Sequence, residues 1–360
     1  MKDLFRELTV VELASVLAGP SVGMFFAELG ARVIKVESPS GDVTRGWKLP
    51  DESPDSNVSA YFSSVNYHKE YVSLDLKDPS DREHLNAILK EADVLIQNWK
   101  EGDAEKFGLS AGSLMARFPK LIIADLSGFA LETQRVAYDI VLQAETGWLS
   151  MTGHPGGGPA KLPVALIDLL AGHQLKEGIL AALWQRERTG TGAQVAVSLE
   201  ESALASLANQ ASNYLMCGHI PGPMGTAHPN IAPYGEIFRC RDDRPLLLAV
   251  GSDVQFQKLC SILGHPEWAL QAEFRTNQQR VAHRALLAEK LSTAFPRDVR
   301  DAWMEALVAA HIPCAAVRTL DEVLTGLVAQ KMIREENIQG TPTRRLSSLG
   351  FDLRSGHAGE

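Results

Sequence analysis

Near the start of the chain a strand, a helix and a second strand follow in immediate succession, and this order constrains the fold more than any other feature. Residues 9–13 (T-V-V-E-L) read as a short strand, 19–29 as a helix with Gly30 at its C-cap, and 33–36 as a second strand. Such a βαβ unit implies parallel strands joined by a right-handed crossover. The alternation continues with a strand at 71–76 and a helix at 80–90, with Ser80 as its N-cap. Strands at 94–97 and 121–126 flank a short helix over 111–117. Four or five strands alternating with helices up to residue 126 predict an open α/β sheet. Glu37 ends the second strand, where a dinucleotide fold carries its ribose-binding acid. The first turn, A-S-V-L-A-G-P, nevertheless lacks G-x-G-x-x-G, so neither a nicotinamide nor a flavin site is expected.

Between these elements, residues 38–66 are turn-rich and read as a surface excursion able to cover a site. A Gly- and Pro-rich loop at 153–159 precedes a short apolar run, 164–167, which delivers Asp168 to the start of a long helix over 169–188. A strand at 194–199 and a helix at 200–214 follow, then a linker at 217–233. Beyond it, a hairpin (235–239 with 245–250) and helices at 254–263, 284–294 and 299–311 form a small α+β module. The polar tail after residue 337 has no assignable final stretch, and no internal repeat is found.

Charge narrows the function classes. Over 360 residues the net charge is -9, which leaves no basic excess to neutralise nucleic acid, so a polyanionic ligand would need a local basic patch. No apolar run is long enough to span a bilayer, and Lys2, Asp3, Arg6 and Glu7 interrupt any signal-peptide core; no membrane partner is expected. Cys217, Cys240, Cys260 and Cys314 are widely spaced without C-x-x-C. They read as reduced thiols of a cytoplasmic protein, with no structural metal expected.

The candidate chemistry centres on Asp168. Aspartate is a favoured N-cap, and its place before L-L-A-G-H-Q-L-K suits that role. The functional alternative is a carboxylate kept ionised by the helix N-terminus and able to attack a carbonyl bearing a good leaving group, such as a thioester. Asp139, after Tyr138, reads as the cap of its own following helix. His173, five residues beyond Asp168, points to another helix face and makes no acid–base pair with it. Gly156, Gly157 and Gly158 lack the Lys and Ser/Thr of a P-loop and read as a turn. Trp47 and Trp99 follow turns and could wall a pocket or fill the core. These residues alone describe a soluble α/β enzyme of unspecified reaction.

Several segments together resemble the family III CoA-transferases, the CaiB/BaiF group that also includes α-methylacyl-CoA racemases. They are V-E-L-A-S-V-L-A-G-P-S-V-G-M-F-F-A-E-L-G-A-R-V-I-K-V-E-S-P-S-G-D, A-D-V-L-I-Q-N-W, Y-D-I-V-L-Q-A-E-T-G, the run ending in Ile167-Asp168, T-G-T-G-A-Q-V-A-V-S-L, A-H-P-N-I-A-P-Y and H-I-P-C-A-A-V. The resemblance implies a large Rossmann-like α/β domain (1–216), a smaller α+β domain (217–320) and a C-terminal segment (321–360) returning to the first. It also implies two chains interlocked as a homodimer.

In such enzymes the residue at the position of Asp168 is the nucleophile that takes up acyl and CoA groups, passing CoA from an acyl-CoA to a carboxylic acid. The racemase branch carries a His base just before Asp139; here that residue is Tyr138, and a phenol of ordinary pKa near ~10 is a poor base. Transfer is therefore expected over racemisation, with a racemase or a catalytically silent CoA-fold protein as the alternatives. For coenzyme A the resemblance points to the backbone around Val16, Leu17 and Ala18, and to Asn98, Lys106 and Phe107. Leu17, Ser38 and Glu70 stand where family members carry Gln, Arg and Arg, and each lost cation removes a charge-assisted phosphate contact.

Overall fold

The computed structural model describes residues 3–100, 102–132 and 134–353. Six strands, β1 (Thr9–Glu12), β2 (Arg32–Glu37), β3 (Glu70–Ser73), β4 (Val94–Gln97), β5 (Ile122–Ser127) and β6 (Gln194–Ser198), form one all-parallel sheet. Their order is β3-β2-β1-β4-β5-β6. In this doubly wound order the connections reverse direction between β1 and β4, which leaves a crevice beyond the carboxyl ends of those two strands. The central strands are buried apolar runs because helices cover both faces. On one face Val11, Ile34, Val36, Leu95 and Ile123 pack with Leu85 and Leu89 of the Pro79–Lys90 helix and Leu114 of the Ala111–Arg117 helix. The Ala18–Glu28 and Leu166–Thr189 helices pack against the sheet and against each other. They meet at Gly172, where an added Cβ would lie 2.6 Å from Ser21 Oγ and 3.1 Å from the Ala18 carbonyl oxygen. This crossing sets the N-terminus of the longer helix beside the turn that follows β1.

Four local expectations are corrected. The long helix starts at Leu166, not Leu169, so Asp168 lies inside its first turn and Ala165 is the N-cap residue. Asp78, not Ser80, caps the 79–90 helix: its Oδ1 accepts from Ser80 N at 2.8 Å, and Pro79 opens the helix with its fixed φ. The helix expected at 200–214 is two helices, Leu199–Ala205 and Ala208–Cys217, because Ala208 takes φ +46° and interrupts the hydrogen-bond ladder. The excursion at 38–66 also contributes to the core, burying Asp42, Thr44, Arg45, Ser59 and Phe62. Arg45 pairs with Glu37 at 2.9 Å and lies 3.9 Å above the Phe62 ring.

The chain forms two compact units. The first comprises the described parts of Met1–Thr146, Leu162–Asn209 and Leu327–Glu360; the second is Gly147–Lys161 with Gln210–Gly326. In the second, β7 (Tyr234–Arg239), β8 (Pro245–Ala249) and β9 (Cys314–Ala316) form an antiparallel sheet whose core includes Phe238, Leu246, Leu248, Phe256, Phe274 and Phe295. A fully buried Arg280 there binds the carbonyls of Ala232 and Phe274 and the carboxylate of Asp253. In the first unit the tail forms a hairpin of β10 (Ile333–Ile338) and β11 (Thr341–Leu346), anchored by an Arg345–Glu28 ion pair at 2.9 Å. The end of the tail that the sequence left unassigned, 354–360, lies outside the described residues.

Candidate active site

Asp168 is the third residue of its helix and is 8% exposed. Ala165 has no capping side chain, so the orphan N–H groups of the first turn need an acceptor from elsewhere. Asp139, the first residue of the Asp139–Glu145 helix, supplies it. Its Oδ1 accepts from the N–H groups of Ile167 at 2.7 Å and Asp168 at 3.3 Å, while Oδ2 accepts from Gln143 Nε2 at 2.5 Å. The expectation that each aspartate caps its own helix is therefore corrected: Asp139 caps the helix that carries Asp168.

With the positive helix end already taken by Asp139, Asp168 gains little from it. Among the described residues its carboxylate accepts no hydrogen bond, and burial, followed by the charge of Asp139, pushes its pKa up to about 7. The helix N-terminus does not hold it strongly ionised, contrary to the sequence expectation.

Aromatic residues gather nearby. Burial, followed by the charges of Asp168, Asp139 and Asp42, pushes the half-buried Tyr61 phenol up to about 12, so it stays a neutral donor at physiological pH. Trp47 packs edge-on against Tyr61 at 5.1 Å and lies 6.4 Å from the ring of Tyr138. Tyr138 is exposed and is the N-cap residue of the Asp139–Glu145 helix. Leu17, Met24 and Val65 cluster with Val16, Tyr61, Ala165 and Leu169. Tyr61 was not singled out from the sequence, since nothing in its turn-rich surroundings links position 61 to position 168.

A cleft of about 540 Å³ opens beyond the carboxyl ends of β1, β2 and β4, at the crevice created by the strand order. Ala14, Ser15, Asn98, Trp99 and Phe107 line it, with the exposed Lys77 and Lys100, the buried Lys35 and Asp42, and the carboxylates of Glu37, Asp75 and Asp103. Trp99 and Phe107 lie 5.8 Å apart. Asn98 is engaged with the turn after β1, donating from Nδ2 to the Ser15 carbonyl and accepting at Oδ1 from the Ser15 N–H, both at 3.3 Å. Val16, Leu17 and Ala18 continue this turn, and Ala18 opens a helix that no side chain caps. Lys106 is 67% exposed, pairs with Asp103 at 2.5 Å, and is not among the residues lining the cleft. Glu37 is held by Arg45 through both carboxylate oxygens. Glu70 pairs with Arg32 at the surface. The cleft thus combines aromatic faces with two exposed ammonium groups, Lys77 and Lys100, beside four carboxylates of which Glu37, Asp42 and Asp103 are already paired with Arg45, Lys35 and Lys106. The same unit carries a shielded carboxylate at Asp168.

Residues 5–351 match CoA-transferase family III. The chain is 37% identical over 323 residues to the succinate–glutarate CoA-transferase of Agrobacterium fabrum, covering 88% of this chain and 80% of that protein. It is 33% identical over 360 residues to the acetyl-CoA:oxalate CoA-transferase of Acetobacter aceti, covering 98% and 90%. A crystal structure of a CAIB/BAIF family protein from Brucella suis is similar at a TM-score of 0.81 and 37% identity, over 98% of this chain and 92% of that one. A doubly wound sheet with a cleft at its switch point, a shielded aspartate, and agreement of sequence and fold over nearly the whole length converge on one conclusion: the chain belongs to CoA-transferase family III and is a CoA-transferase.

Proposed function

We propose that the enzyme moves CoA between small carboxylic acids through covalent intermediates on Asp168. The observation that carries this reading is the buried carboxylate of Asp168, free of hydrogen-bond acceptance among the described residues and near enough to Tyr61 for its charge to act on that phenol. A carboxylate so poorly solvated is a stronger nucleophile than one in water. One of its oxygens attacks the thioester carbonyl carbon, the C–S bond breaks, and CoA leaves as thiolate from a mixed anhydride. The thiolate attacks Cγ of Asp168, releasing the donor acid as carboxylate and leaving an aspartyl-CoA thioester. The acceptor carboxylate then attacks Cγ and expels the thiolate. The thiolate takes the new acyl group, and Asp168 is restored. No net proton is consumed. Tyr61, kept neutral, can donate to the oxyanion formed at each addition. Tyr138 in place of a His base favours transfer over exchange of the α-proton. Trp99, Phe107, Lys77, Lys100 and Asn98 would receive the nucleotide part of CoA. The relatives named for succinate, glutarate and oxalate support small dicarboxylates as the acids.

Incubation with an acyl-CoA and hydroxylamine, followed by peptide mass spectrometry, should place a hydroxamate at Asp168. Asp168→Asn should lower kcat by at least ~10³-fold, the scale on which loss of a covalent nucleophile acts. Full activity of the variant together with an unmodified Asp168 peptide would sink the mechanism.

A further inference from the structure

Beneath the turn after β1 lies a buried charge cluster for which the transfer chemistry gives no account. Glu12 ends β1 and Lys35 is its register partner on β2; their side chains are 0% and 1% exposed. Lys35 Nζ donates to Glu12 Oε1 at 3.0 Å and to the Ala14 carbonyl at 2.9 Å, and pairs with Asp42 Oδ2 at 3.0 Å. Lys69 Nζ donates to Glu12 Oε2 at 2.7 Å and to Asn66 Oδ1 and the Pro20 carbonyl, both at 2.9 Å. Glu12 lies so close to the Ala18–Glu28 helix that a Cβ on Gly23 would come 1.9 Å from its Oε2. Two cations and two anions balance, yet apolar side chains of similar volume often fill such a space at equal or better stability. What the charges supply instead is fixed positions for backbone atoms.

Those atoms belong to a strained turn. Val16 is β-branched yet has φ +74°, a conformation that persists only where its surroundings over-determine it. Four backbone groups of three consecutive residues are each held by a side chain. Lys35 takes the Ala14 carbonyl, Asn98 takes both the N–H and carbonyl of Ser15, and Asp42 Oδ2 accepts from the Val16 N–H at 3.3 Å. In a dinucleotide fold, glycines let this turn bend and approach the ligand; here residues 13–18 include no glycine.

We propose that Asp42 and Lys35, locked in place by Glu12 and Lys69, are positioning residues that hold Val16 in its left-handed conformation and so shape the turn against which acyl-CoA binds. This rests on the reading that CoA occupies the cleft lined by Ala14 and Ser15, whose wall Lys35 and Asp42 also reach.

Asp42→Asn tests it, because the amide keeps the side chain's shape and one acceptor for Thr44 but removes the charge facing Lys35. KM for acyl-CoA should rise at least ~10-fold while kcat changes less than ~3-fold. Amide exchange at Ser15 and Val16, followed without CoA, should quicken at least ~10-fold. Glycine takes a left-handed φ without penalty, so in the Val16→Gly background the same Asp42→Asn change should alter KM by less than ~3-fold. Lys35→Met carries the same expectations and serves if Asp42→Asn does not fold. Unchanged exchange in the folded variants overturns the proposal. An undiminished KM penalty in the Val16→Gly background also overturns it, and would assign Asp42 to direct substrate contact. A wild-type chain that fails to bind CoA overturns the reading of the cleft instead.

Discussion

At the scale of the residue, Asp168 and Asp139 divide one site into two roles by environment. Asp139 receives three N–H donors, whereas Asp168 is left with burial and a neighbouring negative charge, and its pKa is pushed up to about 7. In the proposed mechanism the carboxylate is the reactive form, so kcat/KM for acyl-CoA should fall below about pH 7, approaching tenfold per unit of pH on the acid side. Asp139→Asn retains an acceptor for the Ile167 and Asp168 N–H groups while removing the charge, so the acid limb should move to lower pH; an unmoved limb would show that Asp139 does not act electrostatically. The same shift has a stability sign. A carboxyl whose folded pKa lies above its unfolded value contributes stability that is fully present below about pH 3.8 and is lost as pH rises through about 7. Asp168→Asn escapes that loss, so its stability relative to wild type should improve between pH 4 and pH 8 by at most about 4 kcal/mol. Urea unfolding at both pH values checks this, and a constant difference would count against a raised pKa.

At the scale of the element, the Asp168 carboxylate owes its place to the crossing of two helices at Gly172, one turn beyond it. Gly172→Ala would drive a methyl to 2.6 Å from Ser21 Oγ and should cost about 1–3 kcal/mol by urea unfolding. Gly112, in the short Ala111–Arg117 helix, has nothing within 4 Å of an added Cβ. Gly112→Ala should therefore be neutral or slightly stabilising. Equal effects at the two positions would mean that the crossing is not tight.

At the scale of the whole molecule, the second unit exposes Leu215, Met216 (83% exposed) and Ile220 at the end of the Ala208–Cys217 helix and just beyond it. Large apolar side chains exposed together over so short a stretch are a candidate interface. We propose a second copy of the chain as the partner, for which sedimentation equilibrium at micromolar concentration should give twice the monomer mass. Leu215→Glu with Met216→Glu should shift the population toward monomer, and a wild-type monomer would refute the expectation.

The alternation of strands and helices and the parallel sheet were legible in the sequence, because strand and helix periodicity and turn chemistry act between near neighbours in the chain. The motifs around Asp168 made it a candidate before any geometry was known. Which group caps its helix, whether it ionises easily, and that Tyr61 stands beside it were decided only by tertiary structure. Asp139 and Ile167 are 28 residues apart, and Tyr61 and Asp168 are more than a hundred apart. Hydrogen bonding, desolvation and Coulomb interaction depend on distance through space, which one-dimensional spacing does not encode. The same holds for Glu12, Lys35, Asp42 and Lys69: as letters they are scattered charges, and packing alone makes them a neutral cluster beneath the turn after β1.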